Sequence, residues 1–182
     1  MPITAQHVRD TLTAYLDQRP EDKDSVSTLL DALENTAETI TSRKEFGGHV
    51  TAGALLLRPD GRVLLVEHKA LGKWLFPGGH LEEEDDSLMR AALRELAEET
   101  GIDPSLVTPV SPVPLHVDIH PIPASPAKDE PDHQHFDFRF LFRTDADVTG
   151  LQAEEVLDYS WQFADTIAAE PLRSRLLAVI RP

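Results

Sequence analysis

Apolar positions near the N-terminus recur at intervals of three and four residues: Val8, Leu12, Tyr15 and Leu16, then, beyond Pro20, Val26, Leu29, Leu30, Leu33, Ala37 and Ile40. That spacing lays one stripe along a helix of 3.6 residues per turn, so it predicts two amphipathic helices parted at the proline. Neither carries a cluster suited to chemistry. They are expected to pack on the main core or on a second subunit, which leaves a homodimer open as a partner. From His49 the texture changes to β. Val50 to Arg58 and Val63 to His68 flank Pro59-Asp60-Gly61-Arg62, whose Pro, Asp and Gly supply the angles of a tight turn, and this predicts a hairpin.

Trp74-Leu75-Phe76 reads as a short strand running into Pro77-Gly78-Gly79, expected to be a loop that uses backbone angles open to glycine. Ser87 to Thr100 returns to helical spacing, with Met89, Ala92, Leu93 and Leu96 on one face. Asp85 and Asp86 are its N-cap candidates and Gly101 its stop. Val113 to Ile119 and Phe136 to Phe142 look like strands on either side of Pro121 to Pro131, a proline-rich, charged segment expected to be a mobile loop. A strand around Tyr159 to Phe163 and a helix near Pro171 to Ile180 complete the chain. Short strands interleaved with helices predict an α/β sandwich.

The chain has 182 residues, 41% of them hydrophobic, enough for one sizeable core. Lys and Arg number 17 against 32 Asp and Glu, for a net charge of −15. Such an excess argues against binding a nucleic-acid polymer or an anionic membrane, and an anionic substrate would need a metal bridge. The absence of Cys excludes disulfides, thiolate zinc sites and a cysteine nucleophile. With no signal-like segment at Met1 to Asp10 and no apolar run of membrane-spanning length, a cytoplasmic protein is expected.

Candidate chemistry lies in the central helix. Glu95, Glu98 and Glu99 stand at i, i+3 and i+4, which gathers three carboxylates on one patch. Like charges that close repel unless a cation compensates, and hard oxygen ligands select Mg²⁺, Mn²⁺ or Ca²⁺. Taken alone, the cluster reads rather as a solvated face in which Arg94 pairs with Glu98. The whole string decides between them. Gly78-Gly79-His80-Leu81-Glu82-Glu83-Glu84-Asp85-Asp86, followed after Leu93 by Arg94-Glu95-Leu96-Ala97-Glu98-Glu99-Thr100-Gly101-Ile102, closely resembles the Nudix box, G-x5-E-x7-R-E-U-x-E-E-x-G-U with U aliphatic. From Arg94 to Ile102 every specified position matches, and the preceding Trp-Leu-Phe-Pro-Gly-Gly is also typical of the family.

The first half departs from the pattern by one inserted residue and by an Asp where the first Glu should stand. Either Asp85 or Asp86 takes that place. The resemblance implies a Nudix-type α/β/α sandwich with a mixed sheet at residues 46–182, preceded by a helical extension at 1–45. It implies Mg²⁺ or Mn²⁺ bound by Glu95, Glu98 and Glu99 with the Gly78 carbonyl, Arg94 orienting Glu95, and Glu95 or Glu99 as general base. Glu154 and Glu155 precede Trp161 as a distal acid often does in the family, and Glu155 is carried as a further metal ligand, surface charge being its alternative.

The implied activity is hydrolysis of a pyrophosphate bond in a small nucleotide-like substrate: a nucleoside triphosphate, a modified nucleotide or a nucleotide sugar. A catalytically impaired nucleotide-binding module is the alternative. The isomerase branch of the fold relies on a Cys and drops out. The Pro or Tyr that marks ADP-ribose and dinucleoside polyphosphate subfamilies is not in place, Val117, Asp118, Ile119 and His120 occupying that stretch. Gly79 and His80 beside the carboxylates, and His135 and Arg139 on an alternating strand, are the candidate substrate contacts, with a structural role as the alternative for the last two. His116, His120, His133 and His135 match no common metal motif by spacing, so no second metal site is expected of them.

Overall fold

The computed structural model describes residues 2–36, 38–126 and 129–180. The first helix, α1 (Ala5–Gln18), starts at Thr4, whose side chain accepts a hydrogen bond from the His7 amide, and buries Val8, Leu12 and Tyr15. The second, α2 (Ser27–Asn35), is shorter than its apolar pattern predicts. The hydroxyls of Thr36 and Thr39 bond the carbonyls of Ala32 and Thr36, and this local competition unwinds the helix. Ala37 lies outside the described residues. Ile40 keeps its predicted place in the core without a helix, and its carbonyl accepts from the Val50 amide.

The sheet is built around β1 (His49–Leu57), buried along its whole length. It turns through Gly61, at φ 84°, into β2 (Arg62–His68), and β3 (Lys73–Leu75) pairs antiparallel with β2. The glycines after Pro77 form not a loop but a fourth strand, the short β4 (Gly78–His80), antiparallel to β1 with Ala52 opposite Gly79. A Cβ on Gly78 would stand 2.7 Å from the Ala52 carbonyl oxygen, so glycine serves close approach here rather than a turn.

Next comes α3 (Leu88–Thr100), capped by the Ser87 hydroxyl, not by Asp85 or Asp86, and ended by Gly101 at φ 66°. The strand β5 (Thr108–Pro109) leads to β6 (His116–Ile122) and β7 (His133–Arg143), which pair antiparallel from His116 and Arg139 to Ile122 and His133. The segment expected to be a mobile loop is therefore partly strand. Pro121 and Ile122 extend β6, and Ser125 and Glu130 exchange backbone hydrogen bonds beyond it. A proline is tolerated there because, among the described residues, β6 pairs with β7 and with no other strand. Finally β8 (Val156–Phe163) pairs with β2, and α4 (Leu172–Ile180) follows.

Strands β1 and β7 run parallel, His49 beside His135 through Leu57 beside Arg143, while the other pairings are antiparallel, so the sheet is mixed. Alternation along β1 then assigns its faces. Val50, Ala52, Ala54 and Leu56 share a core with α1, α2 and α3, whereas Leu55 and Leu57 share another with Leu172 and Leu176 of α4. Helices thus cover both faces. The two sides are tied by Arg175 of α4, whose Nη2 donates to both carboxylate oxygens of Asp22 at 2.7 and 2.6 Å and whose Nη1 donates to the Tyr15 hydroxyl at 2.8 Å.

Candidate active site

Packing of α3 across β1 and β4 brings the helix carboxylates against the glycine strand. Glu99 is almost fully buried at 3% exposure, and one of its oxygens accepts from the Gly78 amide at 3.3 Å. Glu95 lies so close to Gly79 that a Cβ there would come within 2.6 Å of its carboxylate oxygen. Glu98, one turn on, is half-exposed. Burial first, then Glu98 and Glu155 acting against Arg94, pushes Glu95 up to about 7. Burial together with Glu95 and the other carboxylates pushes Glu99 up to about 8. Glu99 is thus buried with other carboxylates around it, while the partly buried Glu95 is answered by Arg94.

Arg94 organises the cluster. Its Nε and Nη2 donate to the two oxygens of Asp85 at 3.1 and 2.9 Å, a bidentate pair, and Nη2 also donates to the His80 carbonyl at 2.9 Å. Nη1 donates to Glu95 at 3.1 Å and to Glu98 at 3.0 Å. The Arg94 to Glu98 pair of a solvated face is therefore present, but as one contact among several. Asp85 is buried and its second oxygen also accepts from the Glu82 amide. Asp86 is exposed and pairs instead with Arg90. Of the two aspartates, Asp85 contacts the arginine. Among the described residues no ion pair reaches Glu99.

The distal acid Glu155 is exposed just before β8, yet it acts electrostatically on both Glu95 and Glu99. Neither of those carboxylates feels Glu154 among its leading influences. His80 sits beside the cluster through its carbonyl, while its ring turns the other way, 5.1 Å from His49 and 5.2 Å from His135. Arg139 has its charge answered within the sheet: Nε donates to Asp137 at 2.7 Å and Nη2 to Asp118 at 2.8 Å. The hydrogen bond with His120, with Arg139 adding to it, holds Asp118 down at about 2.

His49, Asp118 and Asp137 were not among the expected site residues. His49 stands far from His135 in sequence, and only the parallel register of β1 and β7 sets them side by side. For Asp118 and Asp137 a signal existed, since each alternates with the histidines on its own strand.

Comparison with known proteins identifies the family. The NUDIX domain family model matches residues 47–181. A protein named probable DHNTP pyrophosphohydrolase from Lactococcus lactis is 28% identical over 121 residues, covering 66% of this chain and 69% of that one. Phosphatase NudJ of Escherichia coli is 49% identical over 59 residues, and that match spans only 37% of its length and 31% of this chain. A solved NUDIX hydrolase from Clostridium perfringens superposes with a TM-score of 0.54 at 23% identity, covering 72% of this chain and 97% of the other, a likeness of fold. No helix of the described residues is long and apolar enough to cross a membrane. With the matched domain spanning both the sheet and the carboxylate helix, the chain belongs to the Nudix hydrolase family.

Proposed function

We propose that this chain hydrolyses a pyrophosphate bond in a small nucleotide-like substrate, with Mg²⁺ or Mn²⁺ as its cofactor. The observation that carries this reading is the placing of Glu95 and Glu99 against Gly79 and Gly78, with Glu98 sharing Arg94 beside them, Glu99 buried, Glu95 partly so, and both of these raised in pKa. Such an all-oxygen donor set, three carboxylates with the one guanidinium of Arg94 between them, fits a hard divalent cation. Glu95, Glu98 and Glu99 would hold it, joined by the Gly78 carbonyl and Glu155. When bound, the ion neutralises the phosphate oxygens and acidifies water.

The remaining work falls to the chain itself. Glu95 takes the proton from the attacking water, with Glu99 as second choice, and a carboxylate with a pKa near neutrality is suited to that transfer. Arg94 fixes the Glu95 oxygen it touches, and Asp85 fixes Arg94, so the base is aimed before substrate arrives. The substrate class is a nucleoside triphosphate, a modified nucleotide or a nucleotide sugar, met by Gly79 and His80 beside the cluster and by His135 further along the sheet.

The test is a panel of ATP, GTP, a nucleotide sugar and DHNTP, the compound in the Lactococcus relative's name. Phosphate or pyrophosphate release is read with Mg²⁺ or Mn²⁺ and again with EDTA. Turnover that chelator abolishes is expected. Turnover undiminished by EDTA, or tight nucleotide binding without turnover across the panel, overturns the reading, and the second result favours a binding module.

A further inference from the structure

Five histidines converge at the end of the sheet beyond the glutamate cluster. His49 opens β1, His133 and His135 open β7, and the parallel register places His49 next to His135. His120 of β6 pairs with His135 from the other side. The rings of His80 and His120 lie 5.2 and 5.7 Å from that of His135. Within this group, one ring nitrogen from each of His49, His133 and His135 lies within 4.8 Å of the others. His49 and His133 are buried, at 1% and 8% exposure.

The hydrogen bonds around the rings say which nitrogens hold protons. His49 Nδ1 lies 3.1 Å from the Glu45 carbonyl and His133 Nδ1 lies 2.9 Å from the Pro131 carbonyl. A carbonyl only accepts, so both Nδ1 atoms carry hydrogen, and in the neutral ring that leaves the lone pair on Nε2. His49 Nε2 is buried with no hydrogen-bond partner among the described residues. His133 Nε2 stands 3.3 Å from His135 Nε2. Burial and the surrounding imidazoles push His135 down to about 2, and burial also lowers His49, so both favour the neutral ring. Buried lone pairs turned inward, each with its other nitrogen tied to a backbone carbonyl, are the arrangement of metal-binding imidazoles.

We propose that His49, His133 and His135 form a binding site for a borderline transition-metal ion of the zinc class, distinct from the carboxylate cluster on α3. Nitrogen donors select Zn²⁺, Co²⁺ or Ni²⁺ over Mg²⁺. Tetrahedral bonds of about 2.0–2.1 Å place ligand nitrogens roughly 3.4 Å apart, a separation that His133 and His135 already have. The remaining separations, up to 4.8 Å, close by rotation of the side chains. Three protein ligands leave a fourth position for water or for a substrate oxygen.

The experiment uses untagged, chelator-treated protein titrated with Co²⁺ and followed by visible absorption. One equivalent is expected to give the intense band of four-coordinate cobalt, to be displaced by Zn²⁺ and to resist a large excess of Mg²⁺. The band should survive in the Glu98→Gln/Glu99→Gln double variant and weaken by about tenfold or more in affinity in His135→Gln and His133→Ala. Zn²⁺ should also raise the Tm of the wild-type protein, and should do so equally in the double glutamate variant. Absence of the band in the wild-type protein overturns the proposal. So does a band that Mg²⁺ displaces, or one that follows the glutamates and not the histidines. Where the histidine variants do not fold, the wild-type and glutamate-variant measurements decide by themselves.

Discussion

Arg94 shows at residue scale how one side chain is shared among roles: two of its nitrogens hold Asp85 while the third reaches Glu95 and Glu98. Asp85→Asn removes the charge that anchors the guanidinium and should lower turnover at least tenfold, whereas Asp86→Asn, at an exposed position paired with Arg90, should leave the rate within about twofold. Steady-state kinetics of the two variants checks this, and equal losses would refute it. Glu98→Gln and Glu99→Gln should each cost orders of magnitude in kcat, because each removes a charged oxygen from the proposed metal site. Glu83→Gln, on the exposed loop, should cost little. Stability should move the other way. Glu99 is already pushed to about 8, so a neutral amide replaces what is largely a neutral acid, and Tm should hold or rise in the metal-free protein.

At the scale of elements, the burial of Glu95 and Glu99 comes from packing α3 against β4, and it ties stability to pH. Their folded-state values, about 7 and about 8, lie above the ordinary carboxylate range of the unfolded chain. A raised acid favours the folded state where it is protonated, and that contribution is lost as pH climbs through the folded value. The metal-free protein should therefore lose Tm between pH 6.5 and 8.5. At the foot of that window His116 and His135, at about 4 and about 2 in the folded state, are neutral there but still about half protonated in the unfolded chain, so they oppose the loss; above about pH 7.5 they are nearly neutral in both states and the slope is that of the glutamates. Thermal melts across the window with Mg²⁺ absent and present are the check: Mg²⁺ should flatten the slope, and Glu99→Gln should remove part of it. A slope unchanged by both would contradict the placement of these acids.

The N-terminal helices belong to the same core as the box helix, since Val8, Leu12, Tyr15, Leu29 and Leu33 pack with Leu88, Leu96 and Phe138. Across the whole molecule, the buried pair of Arg175 and Asp22, with Tyr15 donating its hydroxyl to the same carboxylate, clamps this segment to α4. Burial and the Asp22 carboxylate push Tyr15 up to about 12. Arg175→Ala strands Asp22 without its counter-charge and should destabilise the fold by about 3–5 kcal/mol, read by denaturant unfolding. Turnover per folded molecule should change little, because Arg175 lies in neither ligand cluster. A loss under about 1 kcal/mol would show that the pair is not the clamp proposed.

Near-neighbour spacing was sufficient, by itself, to determine the β1 and β2 hairpin, the box helix with Gly101 at its end, and the three glutamates on one patch. Each depends on contacts within a few residues, where helical or strand period and steric limits act directly. The same is true of the apolar stripe on α1. What only the tertiary structure decided depends on distant segments meeting. Asp85 rather than Asp86 holds Arg94 because Ser87 takes the cap and the loop folds Asp85 inward. Gly78 and Gly79 became a strand because β1 offered a free edge at close range. Arg139 turned to Asp118 and Asp137, and His49 joined His133 and His135, because strand register is set by burying one face of each strand, a condition satisfied between residues that spacing along the chain never relates.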